Sequence, residues 1–233
     1  MGNLDFSQQF IDCIRSHSSE KLEEAEWLLN NVTIDVNAMD KYGRNATALI
    51  HAAYYGISEW IDKLLKRGAS VDAKDDHGRT ALWYASLYGH TDVAVQLIKA
   101  GADIHVKDCL ETTPIILAAQ FKDLNMCRLY LGQGANINDQ DKRHHDTPLL
   151  MASNCYPTYE KLAFLLDHGA DITIKNNRGE TALDIVKSRK DCDERIITLL
   201  QERMDKATKP VQIIRAADNL ERPLVSQEHT KID

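Results

Sequence analysis

The apolar positions of this chain fall into short blocks that open just after a threonine and recur along its length. The blocks read Thr47-Ala-Leu-Ile-His-Ala-Ala53, Thr80-Ala-Leu-Trp-Tyr-Ala-Ser86, Thr113-Pro-Ile-Ile-Leu-Ala-Ala119, Thr147-Pro-Leu-Leu-Met-Ala-Ser153 and Thr181-Ala-Leu-Asp-Ile-Val-Lys187. Their threonines are 33, 33, 34 and 34 residues apart. A second apolar stretch with helical spacing follows, with Leu64 and Leu65 or Leu97 and Ile98 turned inward. It ends on a second landmark, seen as Gly68-Ala69, Gly101-Ala102, Gly134-Ala135 and Gly169-Ala170. A third precedes each threonine, in Asp40-Lys-Tyr-Gly43, Asp75-Asp-His-Gly78 and Asn176-Asn-Arg-Gly179, with Asp108 and Asp141 opening less regular copies.

Each period predicts the same unit. The threonine caps a short helix by accepting from free backbone N–H groups. Small residues such as Ala52 and Ala53 let a neighbouring helix approach. Gly56 and Gly89 fall where that helix ends, a place that favours positive φ, and the second amphipathic helix follows. Such a unit cannot bury its apolar face alone, so the units must stack.

These blocks resemble the ankyrin repeat, whose signature is a T-P-L-H-x-A string in a unit of about 33 residues. The resemblance implies an all-α ankyrin-repeat solenoid of about six stacked helix-turn-helix units joined by β-hairpin-like loops. The expected units are a degenerate first one at 5–39, central ones at 40–74, 75–107, 108–140 and 141–175, and a closing one at 176–203. Together 1–203 form the repeat domain, and 204–233 a polar tail that is disordered or a short helix. The histidine of the signature is absent, with Ile50, Trp83, Ile116, Leu150 and Asp184 in its place. Glu111 and Lys122 stand where glycines are expected, each at a cost of about 1 kcal/mol in a left-handed conformation. Insertions lengthen the tip at Asn45-Ala46 and the loops at His144-His145-Asp146 and Asn154-Cys155-Tyr156-Pro157. Trp27, Trp60, Trp83 and Phe164 are expected in the core.

Charge narrows the choice of partner. Lys and Arg number 28 against 35 Asp and Glu, a net charge of −7, which gives no general attraction to nucleic acid or anionic lipid. No run approaches the length of a membrane span, the start lacks the blocks of a secretory signal, and Phe6 breaks a myristoylation pattern at Gly2. Five scattered cysteines without a C-x-x-C pair suit a reducing, cytoplasmic or nuclear compartment. No nucleotide, protease or cation-binding motif occurs, so no cofactor is expected. The enzyme alternative rests on Cys155 as a reactive thiol beside His144 or His145, and the same three are the only near-approach to a zinc site.

The resemblance instead implies a monomeric module that binds another protein through a concave groove and its hairpin tips. The tip positions include Tyr42 and Arg44, His77 and Arg79, Leu110, Arg143 and Arg178. Six of all the tip residues are basic and two acidic, which inverts the sign of the chain and suits a partner with an acidic segment. The groove positions are Tyr54 and Tyr55, Leu87 and Tyr88, Phe121 and, after the insertion, Tyr156. Tyr55, Tyr88 and Phe121 each lie eight residues after a capping threonine, a spacing that predicts one aromatic ladder.

Overall fold

Threonine side chains start most of the inner helices, as their N-cap chemistry requires. In the computed structural model, which describes residues 5–209 except 122, 123 and 191, Thr47 caps α3 (Ala48–Tyr55), Thr80 caps α5 (Ala81–Tyr88) and Thr147 caps α9 (Pro148–Asn154). Thr181 forms a reciprocal capping box with Asp184 at α11 (Ala182–Lys187). Thr113 is the exception: it opens α7 (Pro114–Ala118) without a side-chain cap, and its buried Oγ1 has no partner among the described residues. The outer helices are α4 (Ser58–Lys66), α6 (Thr91–Lys99), α8 (Asn125–Gly132), α10 (Tyr159–Asp167) and α12 (Glu194–Thr208). A further helix pair, α1 (Phe6–Ser16) and α2 (Ser19–Asn31), precedes them. The described residues thus form an all-helical repeat stack.

Small and branched residues set the spacing between units. Ala52, Ala53, Ala85, Ala118, Ala119 and Ala152 are fully buried between inner helices, while Leu64, Leu97 and Leu165 close each unit from the outer helix. Burying one such leucine stabilises the fold by about 1.5 to 3 kcal/mol. Trp60 and Trp83 join this core and Phe164 is half-buried against it, but Trp27 is 58% exposed. The reason lies in the helical period: α2 buries Ala25, Leu28 and Leu29, and position 27 points away from that stripe.

The hairpins between units contain one isolated bridge, Met39 with Thr47, and no strand among the described residues. Backbone bonds close them, such as Asp40 N to Ala46 O and Asp75 N to Arg79 O, both 3.0 Å. The buried Asp or Asn that opens each one accepts tip amides on its Oδ1: Asp40 from Tyr42, Asp75 from His77 and Arg79, Asp108 from Leu110 and Thr112, and Asn176 from Arg178 and Glu180. Successive tips are joined by Asp76 N to Arg44 O, Cys109 N to His77 O, Lys142 N to Leu110 O and Asn177 N to His144 O. Glu111 adopts the left-handed conformation (φ 57°) in place of a glycine, while in the lengthened first hairpin Asn45 (φ 55°), not Gly43, takes that role. Lys122 lies outside the described residues.

The carbonyl ends of the inner helices lack intrahelical donors. For α3, α5, α7 and α9 a side chain from the following helix pair supplies one. His90 Nε2 meets Tyr54 O at 3.2 Å, Gln120 Nε2 meets Leu87 O at 2.9 Å, and Arg189 Nη1 meets Asn154 O at 2.8 Å. Lys161 Nζ reaches Ala119 O, Phe121 O and Cys155 O at 3.0, 2.8 and 2.9 Å. The last helix runs to Thr208, five residues past the boundary expected at 203, with Met204 packed on the core. Most of the expected tail, from 210 to 233, lies outside the described residues.

Candidate protein-binding surface

The inner-helix ends and hairpin tips form the candidate surface, and its densest part lies between the α3–α4 and α5–α6 pairs. Tyr54 is the hub there: its ring lies 4.7 Å from Tyr55, 5.6 Å from Tyr84 and 4.6 Å from Tyr88. Tyr55 stacks on His17 of the first unit at 4.3 Å, and Tyr88 stacks with His90 at 6.3 Å. Tyr88 is 42% exposed. Burial pushes its phenol up to about 12, helped by the adjacent Tyr54 hydroxyl, so it stays protonated at neutral pH. These rings border a cavity of about 220 Å³ whose polar lining includes Arg15, Asp40, Arg44 and His51.

The glycines at the helix ends explain where the neighbouring side chains settle. A Cβ on Gly56 would stand 2.5 Å from the His90 ring, and one on Gly89 would stand 3.0 Å from the Phe121 ring. Phe121 is therefore half-buried over Gly89, and no ring contact joins it to Tyr88 among the described residues. The predicted single-file ladder of Tyr55, Tyr88 and Phe121 is replaced by a tyrosine cluster, with Phe121 serving as the cover of a helix end. Leu87 is half-buried against the core. Tyr156 is 69% exposed at a left-handed position (φ 48°) after α9.

The basic tips are more fully paired than their composition suggests. Lys41 meets Asp5 at 2.5 Å, Lys142 meets Glu111 at 2.6 Å and Arg178 meets Glu180 at 2.8 Å. Arg79 turns inward, lying 4.4 Å over Trp83 with Nε 3.7 Å from the buried Asp108 carboxylate. Arg44 and Arg143 are exposed and form no ion pair with a described carboxylate. Tyr42 is 76% exposed, while His77 and Leu110 are half-buried.

Several residues of the cavity escape a reading of single units. Arg15 comes from α1, ahead of the clear repeats, and Tyr84 and His51 sit inside the repeated block, where a side chain reads as core. Asp40 is fully buried and accepts from Gln8, the Tyr42 amide and Arg15. Burial raises its pKa, but those donors outweigh burial and hold the carboxyl below its ordinary value. Burial lowers the pKa of His51 against the opposing pull of Asp40, so the imidazole stays neutral at pH 7.

Cys155 is half-buried at the end of α9. Its Sγ lies 3.9 Å from Met151 Sδ, and the described hydrogen bonds include none from it to His144 or His145. No group of His, Cys, Asp or Glu side chains among the described residues is arranged to hold a metal ion. None of the described helices is long and apolar enough to cross a membrane.

The described residues define a stack of repeated helix pairs. Residues 13–108 and 110–209 match the family of ankyrin repeats (three copies), and the chain belongs to that family. Over 85 residues it is 34% identical to the ankyrin repeat and SAM domain-containing protein 6 of Rattus norvegicus, covering 36% of this chain and 10% of that protein. Over 65 residues it is 43% identical to the E3 ubiquitin-protein ligase Ufd4 of Drosophila melanogaster, covering 28% and 2%. The matched part thus spans a tenth or less of these relatives. Ankyrin repeats generally serve as protein–protein interaction modules, and the family is typically non-enzymatic.

Proposed function

We propose that this protein is an adaptor or scaffold that grips a partner protein with the concave face of units 40–107 and the adjoining tips. The observation that carries the reading is the half-exposed cluster of Tyr54, Tyr55 and Tyr88 around an open cavity. Grouped tyrosines are costly to leave solvated and are enriched where interfaces concentrate binding energy. Arg44 and Arg143, the tip cations without a described carboxylate, favour a partner whose contacting segment is acidic.

Affinity capture with quantitative mass spectrometry, followed by direct binding measurements on the captured proteins, tests this. Tyr55→Ala with Tyr88→Ala should weaken binding about 30-fold per anchor, at about 2 kcal/mol each. Circular dichroism and cooperative unfolding should persist. The control Tyr156→Ala should bind as the wild type does. Undiminished binding by the folded double variant would refute the assignment of this face.

A further inference from the structure

The polar groups around the tyrosine cavity are unequally engaged. Arg15 lies 2.9 Å from Asp40 and 3.2 Å from Asp12, and Asp40 also accepts from Gln8 and the Tyr42 amide, so this pair is closed. Arg44 differs. It forms no ion pair with a described carboxylate and lines the cavity together with Tyr84. The Tyr84 hydroxyl donates to the buried Asp75 at 2.7 Å, and Asp75 also accepts from the His77 and Arg79 amides. Asp75 is thus occupied by these three donors. His51 lines the same space, with its buried Nε2 turned to Asp40 at 3.3 Å.

We infer that this cavity receives one carboxylate side chain, an aspartate or glutamate, from an extended segment of a partner protein, with Arg44 as its cation. Tyr54, Tyr55 and Tyr88 enclose the stem of that side chain. The inference rests on the concave-face reading above.

Charge and size select this occupant. A carboxylate matches the planar fork of a guanidinium and carries a single charge against the one guanidinium left open. A phosphoryl group brings nearly two charges into a site whose second arginine is already closed by Asp40 and Asp12. A cation would face Arg15 and Arg44. A volume of about 220 Å³ suits one side chain and falls below the roughly 300 Å³ at which small-molecule sites begin. The Tyr88 hydroxyl remains a donor at neutral pH, since burial holds its phenol at about 12.

An immobilised seven-residue peptide library tests this on the full chain. Its central residue is fixed as Glu, Asp, Gln, Lys, phosphoserine or phosphotyrosine, and its flanks are degenerate. Glu or Asp should bind about tenfold or more tighter than Gln, as a charge-assisted bond requires. Arg44→Gln, a change at an exposed position, should abolish that preference and leave unfolding unchanged, and Arg44→Lys should restore part of it. Equal binding of Glu and Gln, or a preference for Lys or a phosphorylated residue, would overturn the inference, as would binding by none. A carboxylate preference insensitive to Arg44→Gln would also overturn it. Peptides whose binding ignores both Arg44 and Tyr88 while depending on another face would refute the concave-face reading itself. Binding that needs Tyr88 but not the carboxylate would leave that reading standing and remove only the inference.

Discussion

Ser86 stands where Ala53 and Ala119 stand in adjacent units, and Tyr130 stands where Leu64, Leu97 and Leu165 stand. The two departures from the pattern meet. Ser86 Oγ donates to Leu82 O at 2.7 Å and lies 2.5 Å from the Tyr130 hydroxyl, with both residues wholly buried. Burial holds the Tyr130 phenol well above its ordinary pKa, so the pair is neutral. Ser86→Ala leaves that hydroxyl alone in the core and should cost about 1 to 3 kcal/mol. Tyr130→Phe removes the orphan with the bond and lets Ser86 keep Leu82 O, so it should cost about 1 kcal/mol or less. The double variant should be less destabilised than the sum of the singles by about 1 kcal/mol in urea unfolding. Strict additivity would show that the hydroxyls do not act as a pair.

The same logic operates between elements at Lys161. It occupies the register position of Trp60, Val93 and Met126, yet its ammonium ends three carbonyls at the C-termini of α7 and α9, where a cation also opposes the negative end of each helix. Lys161→Met would remove the burial cost of a charge but strand three buried acceptors at about 1 to 3 kcal/mol each. The acceptors win, and a net loss of about 3 kcal/mol is expected from thermal or urea unfolding. Burial lowers the lysine pKa from 10.5 to about 8, so between these values the unfolded chain binds the extra proton. Stability contributed by this residue should therefore rise as pH climbs from about 8 toward 10.5. The difference between wild type and Lys161→Met reports it, because Cys13 and Tyr88, raised by burial to about 11 and 12, act in the opposite sense. Caps and unit starts are legible in the sequence because the threonines and glycines state each rule several times. Lys161 is not legible, since one lysine in a helical pattern reads as a solvated side chain. Tyr54, Tyr55 and Tyr88 are legible as groove positions, whereas Arg15 and Tyr84 reach the cavity only through contacts between helix pairs.

In a stack, each unit touches only its neighbours, so the weakest unit decides where the array opens. Unit 108–140 has the weakest local signals. Its inner helix α7 spans five residues against eight in α3 and α5, Thr113 gives it no cap, and Glu111 holds a left-handed turn that a glycine would accept freely. It is held instead from both sides, by Ser86 on Tyr130 and by Lys161 on Ala119 and Phe121. Hydrogen exchange followed by mass spectrometry should show α7 and α8 exchanging faster than α3 to α6, and Lys161→Met should widen the gap by releasing α7 and α9 together. The tyrosine cavity lies wholly on the N-terminal side of this weak point. Acidic peptides bound there should raise protection in α3 and α5 and leave α9 and α10 unchanged. Uniform protection along all units, or a peptide-induced increase that spreads through α10, would mean that the stack opens as one cooperative block.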